Sequence, residues 1–357
     1  MKTNLPMNST VFKINKTVYQ RLFFVLLGCL STIVCAQQVP AKRFKRVIEL
    51  MDQDKFSDAR VLAEELCSEF PEDAKCLYTL GNIQIQLRDF GTALVNLNKS
   101  ISLDPSLKEA YFSRYIANKE TRNFQFALAD INRYLQFHPA DTTSHWARYN
   151  LAIYMKENDD AIADGQWFID RKIGGDSMIL KQLKLLEEDS RYRDQLKLLN
   201  KVIGSKTSNP WWYYHRAFVN HTLAEYQNSL DDLEKFMVSE PKYIPAMKLR
   251  FDNHFYLRNL PICEKYIIEL IDLEPNNGSF KGDYGHILLQ KGDWAKAESV
   301  FDQAIRLKSD NLGYVYLGRA IAKFNQGDKD LACSDWERSL LLGESVARKY
   351  LTQYCGK

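Results

Sequence analysis

Residues 280–307 read FKGDYGHILLQKGDWAKAESVFDQAIRL, and this stretch decides the fold of the chain. In its second half, Ala297, Phe301 and Ala304 follow the spacing of one face of an α-helix. The first half has the same helical spacing, and a break at Gly292 separates the two halves. The stretch therefore predicts two helices joined by a short turn, which is a helix hairpin.

The hairpin recurs at intervals of 34 residues. An alanine marks the same place in five repeats, at Ala59, Ala93, Ala127, Ala161 and Ala297. In five repeats a proline stands 12 positions after that place, at Pro71, Pro105, Pro139, Pro241 and Pro275. Repeats that start at residues 40, 74, 108, 142, 176, 210, 244, 278 and 313 make nine hairpins, the ninth one residue late. A period of this length is typical of helical repeat arrays, in which each unit buries its apolar face by stacking on its neighbours.

These residues resemble the tetratricopeptide repeat family over about residues 40–343. That family has a small residue at position 8 of the repeat, where two helices approach closely. Here position 8 is filled by Gly81, Ala217, Gly285 and Ala320 in four repeats. The family's proline at position 32 ends the second helix. The resemblance implies an all-α fold, a right-handed α-solenoid of about nine hairpins.

The repeat pattern also suggests how the chain divides. We expect a signal peptide at 1–36, repeats at 37–173 and 210–343, and a capping helix at 344–357 with Val346, Tyr350 and Leu351 on one face. Residues 174–209 form a degenerate repeat, with Gln195 where alanine is usual. Just before it, Gly165 replaces the large apolar residue of repeat 4. This region is either a joint between two groups of repeats or an irregular repeat with no hinge role.

Charge is placed unevenly along the chain. It contains 48 Lys and Arg against 45 Asp and Glu, but four of the basic residues and none of the acidic ones lie in residues 1–36. The remainder has 44 basic and 45 acidic residues, a net charge of −1. The chain beyond residue 36 therefore lacks the excess positive charge typical of nucleic-acid-binding proteins, and we expect a protein or peptide partner.

The leader indicates export. Leu22–Ala36, LFFVLLGCLSTIVCA, follows a positive segment and is shorter than a membrane span, which is the pattern of a cleaved signal. An alternative places a lipid anchor at Cys29, because LLGC resembles a lipoprotein box. An uncleaved anchor is a third possibility. We therefore expect a periplasmic, outer-membrane-associated or secreted protein, which contacts membranes only through this leader.

Hairpin geometry also pairs side chains. Cys333 and Cys355 lie on either side of a turn near Gly343, and Cys67 and Cys76 flank Pro71. An exported chain can oxidise such pairs, so we predict two disulfides. Cys263 remains, at a buried small-residue position, and we interpret it as a core residue.

Arginine at position 7 and aspartate at position 23 occur together in four repeats. Both lie eight residues from the turn, so antiparallel helices bring them level. The expected structural ion pairs are Arg114–Asp130, Arg148–Asp164, Arg216–Asp232 and Arg319–Asp335.

No motif indicates catalysis. The six histidines form no HExxH and no zinc-type spacing, and no phosphate-binding or nucleophile-elbow motif is present. We therefore expect no catalytic residues, no metal ligands and no cofactor. The chain also lacks the lysine and asparagine set with which some family members clamp a carboxylate.

A binding surface is the better-supported prediction. In the family, the first helix of each repeat lines the concave side, where positions 5 and 9 face the ligand. Those positions predict partner-binding residues at Tyr78, Asn82, Phe112, Trp146, Asn150 and Tyr214. Aromatic rings anchor interfaces because they bury a large area at low entropic cost. The alternative is that these rings only pack between neighbouring helices.

The function expected from these features is non-catalytic: a protein-interaction scaffold of the cell envelope or the secreted fraction. Two alternatives remain open. One is a lipid-anchored envelope assembly factor. The other is a glycan-binding or hydrolytic accessory enzyme, suggested by the aromatic run Trp211–Tyr214.

Overall fold

The computed structural model describes residues 39–205 and 209–356, and in this part of the chain it contains 19 α-helices and no strand. The predicted all-α fold, an α-solenoid of helix hairpins, is confirmed. The predicted signal peptide and Cys29 lie outside the described residues. Within the described ranges no helix has both the length and the apolar composition needed to cross a bilayer.

The chain divides into two compact units between Gln182 and Leu183. Unit one contains four hairpins. Their helices are α1 Ala41–Asp52, α2 Phe56–Glu69, α3 Ala74–Gln86, α4 Phe90–Leu103, α5 Lys108–Glu120, α6 Phe124–Phe137, α7 Thr142–Met155 and α8 Asn158–Asp170. The helix that follows, α9 at Gly175–Glu188, contains the division between the units.

Unit two continues the same alternation of first and second helices. Its helices are α10 Tyr192–Gly204, α11 Trp211–Thr222, α12 Tyr226–Met237, α13 Ile244–Tyr256, α14 Leu260–Leu273, α15 Gly278–Lys291, α16 Trp294–Arg306, α17 Leu312–Gln326, α18 Lys329–Leu341 and α19 Ala347–Tyr354. Each helix from α10 onward contacts the next along the chain, so unit two is a continuous stack.

The turn inside each hairpin has one repeated conformation. A residue with positive φ, between 56° and 98°, ends the first helix of every hairpin: Asp54, Arg88, Arg122, Lys156, Ser190, Ala224, Arg258, Gly292 and Gly327. After Arg88, for example, Asp89 N–H donates to Gln84 O at 2.8 Å, and Arg88 N–H donates to Ile85 O at 2.9 Å. This is a Schellman motif, and it satisfies carbonyls that the end of the helix would leave unpaired.

The core consists of the repeat positions that face neighbouring helices. The alanines at position 20, such as Ala93 and Ala297, are fully buried, and so are large residues four positions later, such as Leu97 and Phe301. A Cβ atom added to Gly285 would lie 2.5 Å from the ring of Phe301. The small residue at position 8 is therefore required by the large residue of the partner helix.

All four predicted arginine–aspartate pairs are present, with closest N–O distances of 2.6–2.7 Å. Each arginine also has a partner that the hairpin pattern does not reveal. Arg216 Nη1 donates to Asn200 Oδ1 of the preceding hairpin at 2.8 Å, and Arg114 bonds to Asn98 in the same way. Each arginine therefore joins its own hairpin to the previous one.

The irregular fourth repeat has a local explanation. Gly165 occupies the position of a large apolar residue because the side chain of Gln182 fills that space, and a methyl group at residue 165 would overlap it. Gln182 Nε2 donates to Ile162 O at 2.9 Å, so the buried amide is held in place. The glycine is therefore matched to its neighbour.

The end of the chain differs slightly from the prediction. Helix α19 begins at Ala347 instead of 344, because Gly343 (φ 99°) and a turn precede it. Val346 was placed on the buried face and is instead exposed, which is a correction. Leu351 is buried, and Tyr350 stacks on Trp336 with ring centroids 5.1 Å apart. The last helix thus covers the end of hairpin nine.

The cysteine side chains lie in the predicted pairs. The sulfurs of Cys67 and Cys76 are within bonding distance, with Cα atoms 5.7 Å apart. Those of Cys333 and Cys355 are also within bonding distance, with Cα atoms 5.9 Å apart. Both Cα separations lie in the usual range for disulfides. Cys263 is buried and is not bonded to another cysteine of the described ranges, and its burial raises the pKa of the thiol to about 11.

Candidate functional site

The aromatic members of the predicted strip are half-buried and pack against neighbouring helices. Tyr78 packs on the cluster around Leu97. The ring of Phe112 lies 5.0 Å from that of Tyr134, between centroids. Trp146 stacks on the buried ring of Phe168 at 4.2 Å. One face of each ring is therefore used in packing.

Tyr214, in unit two, is surrounded by other rings. It lies 5.2 Å from Phe236 and 5.3 Å from Tyr243, between centroids, and Trp211 closes the group at 6.0 Å. Burial, followed by the neighbouring Tyr243, raises the pKa of Tyr214 to about 12. The aromatic run that suggested a sugar site is thus largely occupied in ring–ring packing.

The two predicted amides have different environments. Asn82 Oδ1 accepts a hydrogen bond from the Ser113 hydroxyl at 2.5 Å, which links hairpin two to hairpin three. Asn150 is exposed and has no hydrogen-bond partner among the described residues. Asn150 lines a cavity of the described part of the chain, and the other five predicted residues do not line that cavity.

That cavity lies between the first helices of hairpins three and four, and we name it the α5/α7 groove. Its volume is 640 Å³, which is within the range of ligand pockets. The residues that line it are Tyr115, Lys119, Glu120, Arg122, Phe124, Ala147, Asn150, Leu151 and Tyr154. All of them belong to unit one.

An aromatic pair forms one wall of the groove. The rings of Phe124 and Tyr154 meet edge to face, with centroids 4.9 Å apart. Tyr154 remains 68 % exposed despite this contact. Tyr115 is buried beneath, and its burial is the main reason that the pKa of its hydroxyl is raised. The groove therefore presents a large ring on a packed base.

Polar groups converge on the same groove. Asn150 supplies both an amide donor and an acceptor. Arg122 forms no ion pair among the described residues, whereas Lys119 is 3.4 Å from Glu120. Because one cation is paired and the other is not, the groove carries a net positive charge. It can hold an extended backbone through Asn150 and a carboxylate through Arg122.

The described residues also lack the elements of a metal centre, since no three His, Cys, Asp or Glu side chains lie where they could hold an ion. His286 is buried against Tyr314, with ring centroids 3.7 Å apart, and burial lowers its pKa to about 3. This imidazole is a core group that stays neutral at physiological pH.

Sequence reasoning missed the main wall of the groove. Neither Phe124 nor Tyr154 is among the residues predicted from the sequence to bind a partner. The signal in the sequence was Phe124 at position 17 of repeat three, followed by Tyr154 at position 13 of repeat four, directly before the turn. The two positions meet because consecutive hairpins stack with their turns side by side.

Two parts of the chain match the family model of the tetratricopeptide repeat, residues 74–107 and residues 281–311. They correspond to hairpin two and to most of hairpin eight. No curated protein matches the chain by sequence.

Several solved structures resemble the chain. A chain in the structure of Naa15/Naa10 bound to HypK-THB is 15% identical, with 88% of this chain and 55% of that chain covered and a TM-score of 0.59. This chain thus spans about half the length of that one. A tetratricopeptide repeat protein from Parabacteroides merdae is 16% identical, with 78% and 97% covered and a TM-score of 0.36. YrrB, described as a TPR protein with an unusual peptide-binding site, is 13% identical, with 49% and 91% covered and a TM-score of 0.42. The first likeness shows a shared fold.

Proposed function

We propose that this chain, a tetratricopeptide repeat protein and an interaction scaffold, binds an extended segment of a partner protein in the α5/α7 groove. The observation that carries the proposal is the exposed ring of Tyr154 beside the unpaired Asn150 and Arg122. A ring anchor flanked by free polar groups is the usual composition of a protein-binding hot spot. The scaffold itself acts without catalysis.

The partner segment is held in two ways. An apolar or aromatic side chain packs on Tyr154 and Phe124, and the segment's backbone bonds to the amide of Asn150. Arg122 favours a segment that carries an aspartate or glutamate. The rings of Phe112 and Trp146 contribute indirectly, because their packing holds in place the first helices that form the walls of the groove.

A peptide-display experiment tests this function. Random peptides of about 12 residues are selected on the chain from residue 37 onward and then rebound to two variants. Tyr154→Ala removes the ring anchor, and Phe126→Ala removes a ring that is equally exposed, at 68 %, but lies outside the groove. We expect Tyr154→Ala to weaken groove-binding peptides by about tenfold or more.

The control variant makes the result decisive. Tyr154 and Phe126 are both exposed, so neither substitution by alanine disturbs the core. If the selected peptides bind Tyr154→Ala and wild type equally well, the groove is not the binding site. If both variants lose the same peptides, the binding is non-specific adsorption to exposed rings.

We also propose that the protein is exported and that its two cysteine pairs are disulfides in the native state. The apolar leader at Leu22–Ala36 and the distances within both cysteine pairs support this. Disulfides persist in oxidising compartments and are rare in the cytosol. Intact mass of the native protein tests the idea: we expect an amino terminus at Gln37 and the loss of four hydrogens. An acylated Cys29 would instead establish a lipid anchor.

A further inference from the structure

Hairpins of the two units can be compared at a distance of three repeats. Arg114 and Arg216 are 102 residues apart, which is three repeats, and they make the same contacts. Each donates to an aspartate of its own hairpin at 2.6 Å and to an asparagine of the previous hairpin at 2.8 Å. Arg148 makes the same contacts one repeat after Arg114, so the alignment of hairpins two to four with hairpins five to seven rests on the aromatic pair described next.

The aromatic pair of the groove recurs at the same spacing. Phe124 and Tyr154 correspond to Tyr226 and Tyr256, which also have centroids 4.9 Å apart. Tyr256 is 57 % exposed. We name His221, Tyr226, Asp252 and Tyr256 of unit two the α11/α13 shelf.

A histidine holds the shelf in place. The ring of His221 lies 5.6 Å from Tyr226 and 5.7 Å from Tyr256, between centroids. Its Nδ1–H donates to Asn253 Oδ1 at 2.8 Å, and Asn253 in turn donates to Ser229 Oγ. Because Asn253 is fully buried, this chain of bonds fixes the ring pair to the core.

The charges around the two ring pairs are opposite. Arg122 of the groove corresponds to Ala224, so unit two has no guanidinium at this position. The amide of Asn150 corresponds to the carboxylate of Asp252. The substitutions thus remove a positive charge and add a negative one beside the same aromatic feature.

A second carboxylate extends the negative side of the shelf. Lys248 Nζ lies 2.5 Å from Asp252 and 3.3 Å from Asp283, so one lysine serves two carboxylates and the group keeps a net negative charge. At the place of Asp283, unit one has Lys181, whose ammonium lies 6.0 Å from the ring of Trp146. The reversal of charge therefore extends beyond the ring pair.

We propose that the α11/α13 shelf is a second docking site, and that it binds a protein segment carrying a lysine or arginine beside an apolar side chain. The apolar group packs on the exposed face of Tyr256. The cation is attracted by Asp252, one helical turn away on the same face, together with Asp283, because Lys248 neutralises only one of the two carboxylates. This inference rests on the proposed function, since it extends ring-anchored binding from the groove to a second ring pair.

The same display experiment separates the two sites. Peptides are selected on the full chain from residue 37 and then rebound to Tyr256→Ala, with Leu331→Ala as the control, since Leu331 of unit two is 55 % exposed and lies away from the shelf. We expect a group of peptides enriched in lysine and arginine to lose about tenfold in affinity for Tyr256→Ala alone. Asp252→Asn weakens the same group about two- to fivefold and leaves peptides that depend on Tyr154 unchanged.

Three results would overturn the inference. The first is that no selected peptide depends on Tyr256. The second is that the peptides that depend on it are acidic or uncharged. The third is that Asp252→Asn leaves their affinity unaltered while the melting temperature stays that of the wild type. A failure of Tyr154→Ala to affect any peptide would refute the groove and leave the shelf standing.

Discussion

Replacing Arg216 by methionine tests how the hairpins are held together. In unit two, the side chain of Asp232 is 3 % exposed and accepts hydrogen bonds from Arg216 at 2.7 Å and 2.6 Å. After Arg216→Met the carboxylate keeps only Asn220, at 3.3 Å, and the distant ammonium of Lys235, at 3.9 Å. Leaving one half of a buried ion pair costs about 3–5 kcal/mol. Because Arg216 is itself 18 % exposed, we expect the lower end, about 3 kcal/mol.

The double variant Arg216→Met, Asp232→Leu should recover most of this loss. It removes the buried charge and fills the space with apolar atoms, which is often nearly neutral. A residual cost of about 1 kcal/mol remains, because the buried Asn220 amide loses its acceptor. The order of stability is therefore wild type, double variant, then single variant.

Hydrogen exchange in α11 and α12 is the suitable assay, because a repeat array need not unfold in one step. A loss of 3 kcal/mol corresponds to roughly hundredfold faster exchange of the most protected amides. Arg60→Met is the control. Its pair with Glu64 has the same 2.7 Å distance but is exposed, so we expect hydrogen exchange in α2, which contains both residues, to change little. A double variant as unstable as the single one would show that packing, and not the unpaired charge, determines the loss.

Three further outcomes are expected. Burial lowers the pKa of His286 to about 3, below its unfolded value near 6.5. Below about pH 6.5 the unfolded state therefore binds a proton that the folded state does not, and the free energy of unfolding falls as the pH drops. His286→Phe should make this free energy, measured by urea unfolding at several pH values, less dependent on pH. Gly285→Ala should cost about 1–3 kcal/mol despite the better helix propensity of alanine, because its Cβ meets the Phe301 ring, and Phe301→Leu should recover part of the loss in thermal unfolding. Alkylation of the denatured, non-reduced chain from residue 37 should label one thiol; three labelled thiols would mean that Cys67–Cys76 or Cys333–Cys355 is open.

Sequence reasoning reached the interactions within one hairpin. The pairing of Arg114 with Asp130 follows from their equal distance to the turn, and no knowledge of neighbouring repeats is needed. Arg114 has a further hydrogen-bond partner, Asn98, which lies on the previous hairpin. Its position depends on how one hairpin is rotated against the next, which a 34-residue spacing does not determine.

Substituted facing side chains explain the irregular repeats. In repeat seven the aspartate is replaced by Tyr266. Arg250 lies over its ring at 3.7 Å and also reaches Glu269 at 3.4 Å, so a cation–π contact takes the place of the bond to aspartate. Gly165 appeared degenerate because its partner, Gln182, lies in the following repeat. In each case the missing information was the identity of the facing side chain.

The candidate site was harder to find for a related reason. Asn150 was predicted from its position on the first helix, and it does line the groove. The wall of the groove, however, is made by Tyr154 of one hairpin and Phe124 of the one before. Neither position in the repeat indicates a binding site by itself, and the wall forms only because the stacking of consecutive hairpins brings the two rings together.

The repeat positions that form the core and those that form the two aromatic sites are under different physical demands. Position 20 holds a small residue in eight of the nine repeats, because it is fully buried where helices approach closely, as at Ala93 and Ala297. Groove positions contact only one neighbour and solvent, so a change of charge there costs little stability. This freedom explains why Arg122 and Ala224 occupy equivalent turns with φ of 60° in both, while the charge beside the aromatic pair reverses. An array can therefore keep a small residue at position 20 and still offer a different chemistry in each unit.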